Sequence, residues 1–515
     1  MDYVIGVDVG SQSTKALLVA FDGALVGEAA AAYGIDYPQP LWAEQPVARW
    51  TDAFTQAVRR LLAETGVDPL RIRALGLASQ VEGVVAIDAA GAALRPAIIW
   101  MDRRAAAQCR PVRAALGEAA VFNLCGLNLD PSHVAPKLRW IMDHEPGVAA
   151  RAAYWLQPGS YMAHWLTGEL AVDYSNASSS LLLDVRARDW SPALCAAFGV
   201  DRAQLPPVHP ATERLGRLRP ERAAALGLSA ETLVVVGSGD EHAACLGAGV
   251  VEAGLIGDIA GTSEPVCAAA AAPAFDPTRL IETHCHADPA LWLLENPGFV
   301  SGANLRWLRD HFAPDEQRAA TAGGPSAYAA LDALAAAVPP GSEGLVFLPT
   351  LMGATTPTWN DAARGNLFGF TLAHTRAHLV RAVLEGSAYG LRDNSDQLRA
   401  LGLPTRELRV MGGGARSALW NQIKADVTGL PVAVPENIET TAVGAAVLAL
   451  IGARAYATPA EACPQVVRLA ARFDPSPAAH VAYAAAYALY RRVYFSLLPA
   501  FEQAAAAAPP PPSDL

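Results

Sequence analysis

Asp8-Val9-Gly10-Ser11-Gln12-Ser13-Thr14-Lys15 and, about half a chain further on, Ile259-Ala260-Gly261-Thr262-Ser263 are the stretches on which the fold turns. Each closes an apolar, β-branched run with a small polar turn and then re-enters a strand-like run. Tyr3 to Val9 leads into the first turn. Lys15 to Phe21 leaves it, with Asp22-Gly23 as a hairpin signal before Ala24 to Gly27. Gly254 to Ala260 leads into the second turn, and Pro265 to Ala272 leaves it. One copy would mean little. Two copies, each heading a stretch in which strands alternate with helices, predict two similar α/β domains facing each other.

Outward from the first copy, Ala48 to Glu64 reads as a helix, and Ile72 to Ala78, Val84 to Asp88 and Ala97 to Trp100 read as strands. Leu233 to Val236 is a further strand, leading into Gly237-Ser238-Gly239-Asp240 and an Ala/Gly-rich helix that ends near Val250. Outward from the second copy come a helix from His374 to Leu391, a strand from Glu407 to Met411, and the turn Gly412-Gly413-Gly414-Ala415-Arg416-Ser417 before another helix. The expected division is a first domain over residues 1–248 and a second over 249–490. Ala504 to Pro512 is alanine then proline, so 504–515 is expected to be a disordered tail.

Bulk properties narrow the function. A chain of 515 residues is too long for one ordinary core, and 52% apolar with 17% charged residues is a globular composition. Thirty-nine basic against 50 acidic residues give a net charge of −11, which argues against nucleic acid as a partner. No stretch approaches the roughly 20 apolar residues that cross a bilayer. Met1-Asp2-Tyr3-Val4 lacks the basic start of a signal peptide, so a cytoplasmic location without membrane contact is expected. The seven cysteines are scattered and include no CxxC pair, which disfavours a disulfide framework or zinc ribbon. Thr283-His284-Cys285-His286 places two histidines on one face of a strand, but two ligands do not make a metal site. They are read as ordinary strand residues.

Small, tight turns hold phosphate through backbone N–H groups, because glycine and serine let the chain approach closely. Gly10 to Lys15, Gly261 to Ser263 and Gly412 to Ser417 are three such turns. None matches the GxxxxGK[ST] loop, and none forms GxGxxG after the first strand. A Walker-type ATPase and a dinucleotide oxidoreductase are therefore disfavoured. Two aspartates stand beside the turns. Asp8 can hold Mg²⁺ against phosphate oxygens. Asp240 can be a simple helix N-cap or, behind its glycine-rich approach, a base.

In combination these motifs resemble the FGGY carbohydrate kinases, nearest to the xylulokinases, over Tyr3 to about Gly452. Asp8 to Lys15 is similar to the family's first phosphate motif, and Gly261-Thr262-Ser263 to its second. Asp173-Tyr174-Ser175-Asn176-Ala177-Ser178, with Asp184 and Trp190, is similar to its internal Asn-Ala-Ser segment. Gly239-Asp240 with Gly247 resembles the catalytic motif. Gly369-Phe370, His378-Leu379 and Glu385-Gly386 resemble the C-terminal signature. Gly412 to Ser417 with Trp420-Asn421-Gln422 resembles the adenosine motif, and Thr441 to Ala446 completes the pattern.

The resemblance implies a duplicated actin-like (ribonuclease H-like) ATPase fold with a cleft, ATP on the second domain and sugar on the first. It implies Asp240 as the base that takes the proton of the substrate hydroxyl, and Asp8 as the residue orienting Mg²⁺. Gly10, Ser11, Gln12, Ser13, Thr14, Lys15, Gly261, Thr262 and Ser263 would steady the phosphates. Gly412, Gly413, Gly414, Ala415 and Asn421 would line the nucleotide pocket. Gln80, Val81, Glu82, Trp100, Asp102, Arg104, Asp240 and Glu241 would meet the sugar.

The implied reaction is ATP-dependent conversion of D-xylulose to D-xylulose 5-phosphate. Alternatives are another ketopentose or polyol (ribulose, L-xylulose, a pentitol, erythritol, glycerol), or a non-catalytic sugar or nucleotide sensor. Homodimers are common in the family. The sugar loop departs from the xylulokinases: Val81-Glu82 stand where those carry Met-His, and Glu241 stands where many carry Asn. Arg104 rather than Arg103 is the better match to the arginine of the family's Trp-x-Asp-x-Arg segment, which Trp100 opens. Two acidic residues suit a ligand rich in hydroxyl donors.

Overall fold

The computed structural model describes residues 1–507. It is built on two mixed sheets with helices packed against them, an α/β architecture. In the first sheet, the antiparallel hairpin Tyr3–Val9/Ser13–Ala20 is extended on one side by Leu25–Ala32. On the other side Tyr3–Val9 pairs in parallel with Ile72–Ser79, and that strand pairs in parallel with Leu233–Val235. The second sheet repeats this order. Leu255–Ile259 pairs antiparallel with Ser263–Ala270, which pairs with Trp292–Val300. Leu255–Ile259 also pairs in parallel with Glu407–Met411, which pairs in parallel with Val432–Pro435. The second sheet adds an outer strand, Glu282–Cys285.

The central strands are apolar because both their faces are covered, as sheets with parallel pairings require. Ile5, Val7, Leu75, Leu77 and Val234 pack on Trp50, Phe54 and Leu61 of the helix Val47–Thr65. Ile256, Val410 and Val432 pack on Leu391 and Leu398 of the helix Arg376–Ala400.

Two helices join the halves, and each crosses to the other half's sheet. Thr440–Gly452, from the second half, lies on the first sheet. A Cβ at Gly6 would sit 2.1 Å from the Ala442 carbonyl oxygen, and one at Gly76 would sit 1.8 Å from that of Ala445. Asp240–Gly247, from the first half, packs through Ala244 and Cys245 on Cys267, Ala269 and Met411 of the second sheet. Where the two helices cross, Gly247 meets the Thr440 backbone and Gly444 meets that of Ala243, each with 1.9 Å from a built Cβ to a carbonyl oxygen. Only glycine fits such contacts.

Two expectations need adjustment. The last helix, Pro477–Ala507, runs through the alanines from 504 that were assigned to a disordered tail. The remainder of that tail, 508–515, lies outside the described residues. Of the two histidines read as strand residues, His284 lies within the strand Glu282–Cys285, whereas His286 follows it and accepts the Asp288 N–H at 2.8 Å. All seven cysteines are buried free thiols.

Candidate active site

The first turn is tied back from behind. Gly10 N–H closes it onto the Ser13 carbonyl at 3.1 Å. Tyr33 Oη donates to the Gly10 carbonyl at 2.6 Å, and Gln45 Nε2 donates to that of Ser11 at 2.7 Å. Gln80 Nε2 donates to Gln45 Oε1 at 2.9 Å, and Gln80 is fully buried. Gln80 thus braces the first turn through its Nε2, while its Oε1 is buried without a partner. Trp100, half exposed, donates from Nε1 to Ser11 Oγ at 2.8 Å. Gln12 is exposed, Ser13 is half-buried, and Thr14 is buried with its Oγ1 unpartnered.

The second and third turns are welded together. Ala260 N–H donates to the Met411 carbonyl and Gly414 N–H to that of Ala260, both at 2.9 Å. Gly261 N–H reaches the Ser263 carbonyl at 3.0 Å, and Ala303 N–H, at the start of the helix Gly302–Phe312, donates to the Thr262 carbonyl at 3.1 Å. Thr262 and Ser263 are exposed. Gly412 has φ +77° and turns the chain, while a Cβ at Gly413 would meet nothing, so this peptide stands open for a ligand. Asn421 is buried and its Nδ2 holds the carbonyl of Ala415, itself buried, at 2.8 Å. Asn421 therefore fixes the shape of the turn. A link to the first turn runs through Lys15, which pairs with Glu439, next to Ile438, whose carbonyl accepts the Gly412 N–H at 3.1 Å.

Asp240 opens the crossing helix Asp240–Gly247, and Gly239, not Asp240, occupies the cap position. Asp240 Oδ1 accepts the Glu241 N–H at 3.0 Å. The approach is held by the Asn-Ala-Ser segment. Ser175 Oγ accepts the Gly239 N–H at 2.9 Å and donates to Asp173, whose carboxylate also takes the N–H groups of Ser175 and Asn176. Val81 packs over Gly239, at 2.6 Å from a built Cβ there.

Burial raises the Asp240 carboxyl to about 8, helped by the charges of Glu241 and Glu82. Burial likewise raises Asp8 to about 8, helped by Asp240, while Lys15 opposes it. The two aspartates thus feel each other across the space between the turns. Asp8 Oδ1 is buried without a partner. That orphan suits a cation such as Mg²⁺, which takes one or two carboxylates and completes its shell with water and phosphate. Among the described residues no group of three or more His, Cys, Asp or Glu side chains forms a ready-made metal cage.

Glu82 has φ +61° and lies 2.8 Å from His133 Nδ1. Burial pushes its carboxyl up, but the charge and hydrogen bond of His133, with Lys137, outweigh it and hold Glu82 at about 2. Asp102 and Arg104 are committed to each other and to neighbouring groups. Asp102 is fully buried, takes the Ala43 N–H at 2.6 Å, and pairs with Arg104, whose guanidinium stacks on Trp42 at 3.7 Å. With Glu44, which pairs with Arg104 at 2.7 Å, they form a buried polar knot.

Sequence reading missed Gln45 and Tyr33, which no local pattern marks, and it named Ser175 only as part of a motif, without its role as a prop for Gly239. Each reaches the site through a contact between distant segments.

Profiles of known families match both halves: the FGGY family of carbohydrate kinases, N-terminal domain, over residues 3–247, and the FGGY family of carbohydrate kinases, C-terminal domain, over 259–453. The chain belongs to the FGGY family of carbohydrate kinases and is a sugar kinase. Among individual relatives, a xylulose kinase of Escherichia coli K12 is 34% identical over 96% of this chain and 99% of its own. A gluconokinase of Bacillus subtilis 168 is 31% identical over 87% of each chain. The crystal structure of a xylulose kinase from Rhodospirillum rubrum superposes with a TM-score of 0.90 at 32% identity, covering 97% of this chain and all of that one. No helix among the described residues is long and apolar enough to cross a membrane.

Proposed function

We propose that the protein transfers the terminal phosphoryl group of ATP to a hydroxyl of a ketopentose, D-xylulose giving D-xylulose 5-phosphate, with Asp240 as general base. The observation that carries this reading is the setting of Asp240. It is a carboxyl raised to about 8, at the start of a helix, within electrostatic reach of the unpartnered Asp8. A base works best when its pKa lies near the working pH. The xylulose kinase relatives supply the sugar.

In this reading the three turns grip the phosphates, with Gly10 to Lys15 on one side and Gly261 to Ser263 on the other. Gly412 to Ala415, shaped by Asn421, borders the nucleotide. Asp240 takes the hydroxyl proton as the oxygen attacks phosphorus, and the ATP β-phosphate leaves as ADP. Asp8 Oδ1 would hold Mg²⁺, which when bound offsets phosphate charge. Closing the halves would exclude water and limit futile ATP hydrolysis. We place the domains at 1–248 and 249–490, the enzyme in the cytoplasm, and allow a homodimer as its assembly.

Glu82 and Glu241, standing where the xylulokinases carry other residues, favour one second reading, a kinase of a neutral polyol such as a pentitol, erythritol or glycerol. An ADP-release screen across D- and L-ketopentoses, pentitols, tetritols, glycerol and gluconate, with Asp240→Asn as control, decides. Turnover best on xylulose supports the first reading. Turnover best on a polyol supports the second. No substrate above the control refutes both.

A further inference from the structure

The first half holds a cavity of about 310 Å³ that shares no residue with the three turns or with the approach to Asp240. It opens past Ala48, Ala90 and Ala92, which are exposed. One wall is aromatic. It consists of Tyr161, which is buried, and Trp165, whose ring packs edge-on against the core residue Phe54 with centres 6.0 Å apart. The other walls are the start of the helix Val47–Thr65 and the side chains of Arg219, Arg222 and His164. The volume is that of a small-molecule pocket at the lower end of the usual range, which begins at about 300 Å³.

The cavity is positive, and no carboxylate lines it. Asp88 supports the turn at one rim, where its Oδ1 takes the N–H groups of Ala90 and Ala92 at 2.9 and 3.0 Å. Asp52, Glu169 and Glu221 stand near lining residues in the chain, but they are exposed and lie outside the walls. Arg222 stacks over Trp165 with its guanidinium carbon 4.7 Å from the ring centre, and its Nε is buried without a hydrogen-bond partner. Arg104 stacks on Trp42 in the same way, yet it is anchored by Asp102 and Glu44. Buried polar atoms are nearly always paired, so the open Nε of Arg222 marks a place for an acceptor from outside the chain. Arg219 lies across Gly168, where a built Cβ would stand 2.5 Å from its Nη2. His164 donates from Nδ1 to the Glu169 carbonyl at 3.3 Å, and its Nε2 lies against Gly91, 2.6 Å from a built Cβ there. Two glycines thus make room for a guanidinium and an imidazole. The helix adds to the positive potential. It is 19 residues long, has no acidic residue in its first turn, and begins after Pro46, whose side chain cannot cap its first N–H groups.

We propose that this cavity is a second ligand site, separate from the reaction cleft, for a small phosphomonoester: a sugar or polyol carrying one phosphoryl group. The phosphoryl oxygens meet Arg219, Arg222 and the start of the helix, and the carbon chain lies on Tyr161 and Trp165. A guanidinium fork matches phosphate oxygens, and a helix start receives a doubly charged group well. Two forks and a helix start offer more donors than the two oxygens of a single carboxylate can engage. The aromatic wall and the volume call for a carbon body as well as the anion.

Calorimetric titration of the full chain with ribose 5-phosphate, with ribose and inorganic phosphate alongside, tests the site. Ribose 5-phosphate should bind, ribose should not, and inorganic phosphate should bind about tenfold more weakly because it forfeits the aromatic wall. Arg219→Met and Arg222→Met keep an apolar stem on Gly168 and Trp165 and remove the charge. Each should weaken ribose 5-phosphate at least about tenfold. Ala48→Glu keeps the test independent of folding. An acidic side chain in the first turn supports the helix, yet sets a like charge at the mouth of the cavity. It should weaken binding while the urea midpoint stays level or rises. Asp240→Asn, in the cleft, should leave the affinity within about twofold, since the cavity shares no residue with it.

Absence of ribose 5-phosphate binding, or binding that none of the three cavity variants weakens, overturns the proposal. So does binding lost in Asp240→Asn and kept in the cavity variants, which places the ligand in the cleft. Inorganic phosphate binding as tightly as ribose 5-phosphate overturns the assignment to a phosphomonoester.

Discussion

The two hairpins share topology, register and a glycine turn, yet they use the same positions in opposite ways. Setting Gly10 against Gly261 places Asp8 opposite Ile259 and Val7 opposite Asp258. In the first copy the carboxylate stands beside the turn with an unpartnered oxygen. In the second the carboxylate points into the sheet. There Lys424 Nζ pairs with Asp258 at 2.5 Å and with Glu264 at 2.6 Å, all three almost wholly buried. One residue of displacement along a strand moves a side chain to the other face. In the proposed reading the first copy's carboxylate serves the chemistry, whereas the second copy's joins a buried ion triad that serves the fold.

That contrast can be broken most sharply at the chemistry. Asp240→Asn should lower kcat by about 10³-fold with little change in either KM, since general-base help contributes typically 10²–10⁴. A single-turnover assay checks this. Asp8→Asn should lower kcat less, by about 10²-fold, and raise the Mg²⁺ concentration needed for half-maximal rate.

Lys424→Met in the second copy should act on stability. It leaves Asp258 and Glu264 buried together without their cation, and breaking such a group costs about 3–5 kcal/mol, read by urea unfolding. Equal kinetic effects at Asp8 and Lys424 would erase the distinction.

Glycines sharpen the comparison further. Gly6→Ala would drive a methyl into the Ala442 carbonyl, whereas at Gly257 the nearest atom is the Cys245 Sγ at 3.0 Å. Gly6→Ala should therefore cost at least about 3 kcal/mol and Gly257→Ala about 1 kcal/mol or less, since a thiol can rotate and a backbone cannot.

The same two aspartates also set a pH response. Asp8 and Asp240 bind their protons more tightly in the folded protein, at about 8 against an ordinary 3.8. Unfolding therefore releases protons between those values, and stability should fall as pH rises from about 4 to about 8, then level off. Over the upper part of the same window kcat/KM should rise as Asp240 ionises. Asp240→Asn should flatten the rise, and by relieving a buried carboxyl should gain about 1 kcal/mol near pH 8.

The α/β fold was legible because its signal is local: a β-branched run, a small turn and a second run, written twice. The turns at Gly10, Gly261 and Gly412 were legible for the same reason. What the motifs could not reveal was which side chains point outward. Gln80, Asp102, Arg104 and Asn421 sit in recognisable segments, yet each is drawn inward to hold a neighbouring group. His284 was seen only as part of a two-histidine strand, because its contact with Ser179 exists only once the second sheet's outer strands dock against the first half. There Cys285 N–H meets Ser178 Oγ at 3.0 Å and Thr283 N–H meets the Gly126 carbonyl at 2.9 Å.

The exchange of helices at Gly247 and Gly444 bears on how such a chain can be made. Each half lends an apolar helix to the other's sheet: Ala442, Val443 and Ala446 cover Val4 and Leu17, while Cys245 and Ala248 pack with Cys267 and Leu293. Cutting the chain between the halves would strip one face of each sheet and leave two sticky fragments. A ribosome that has delivered only the first half has therefore made a sheet still waiting for its cover. Folding cannot finish until residue 452 has emerged.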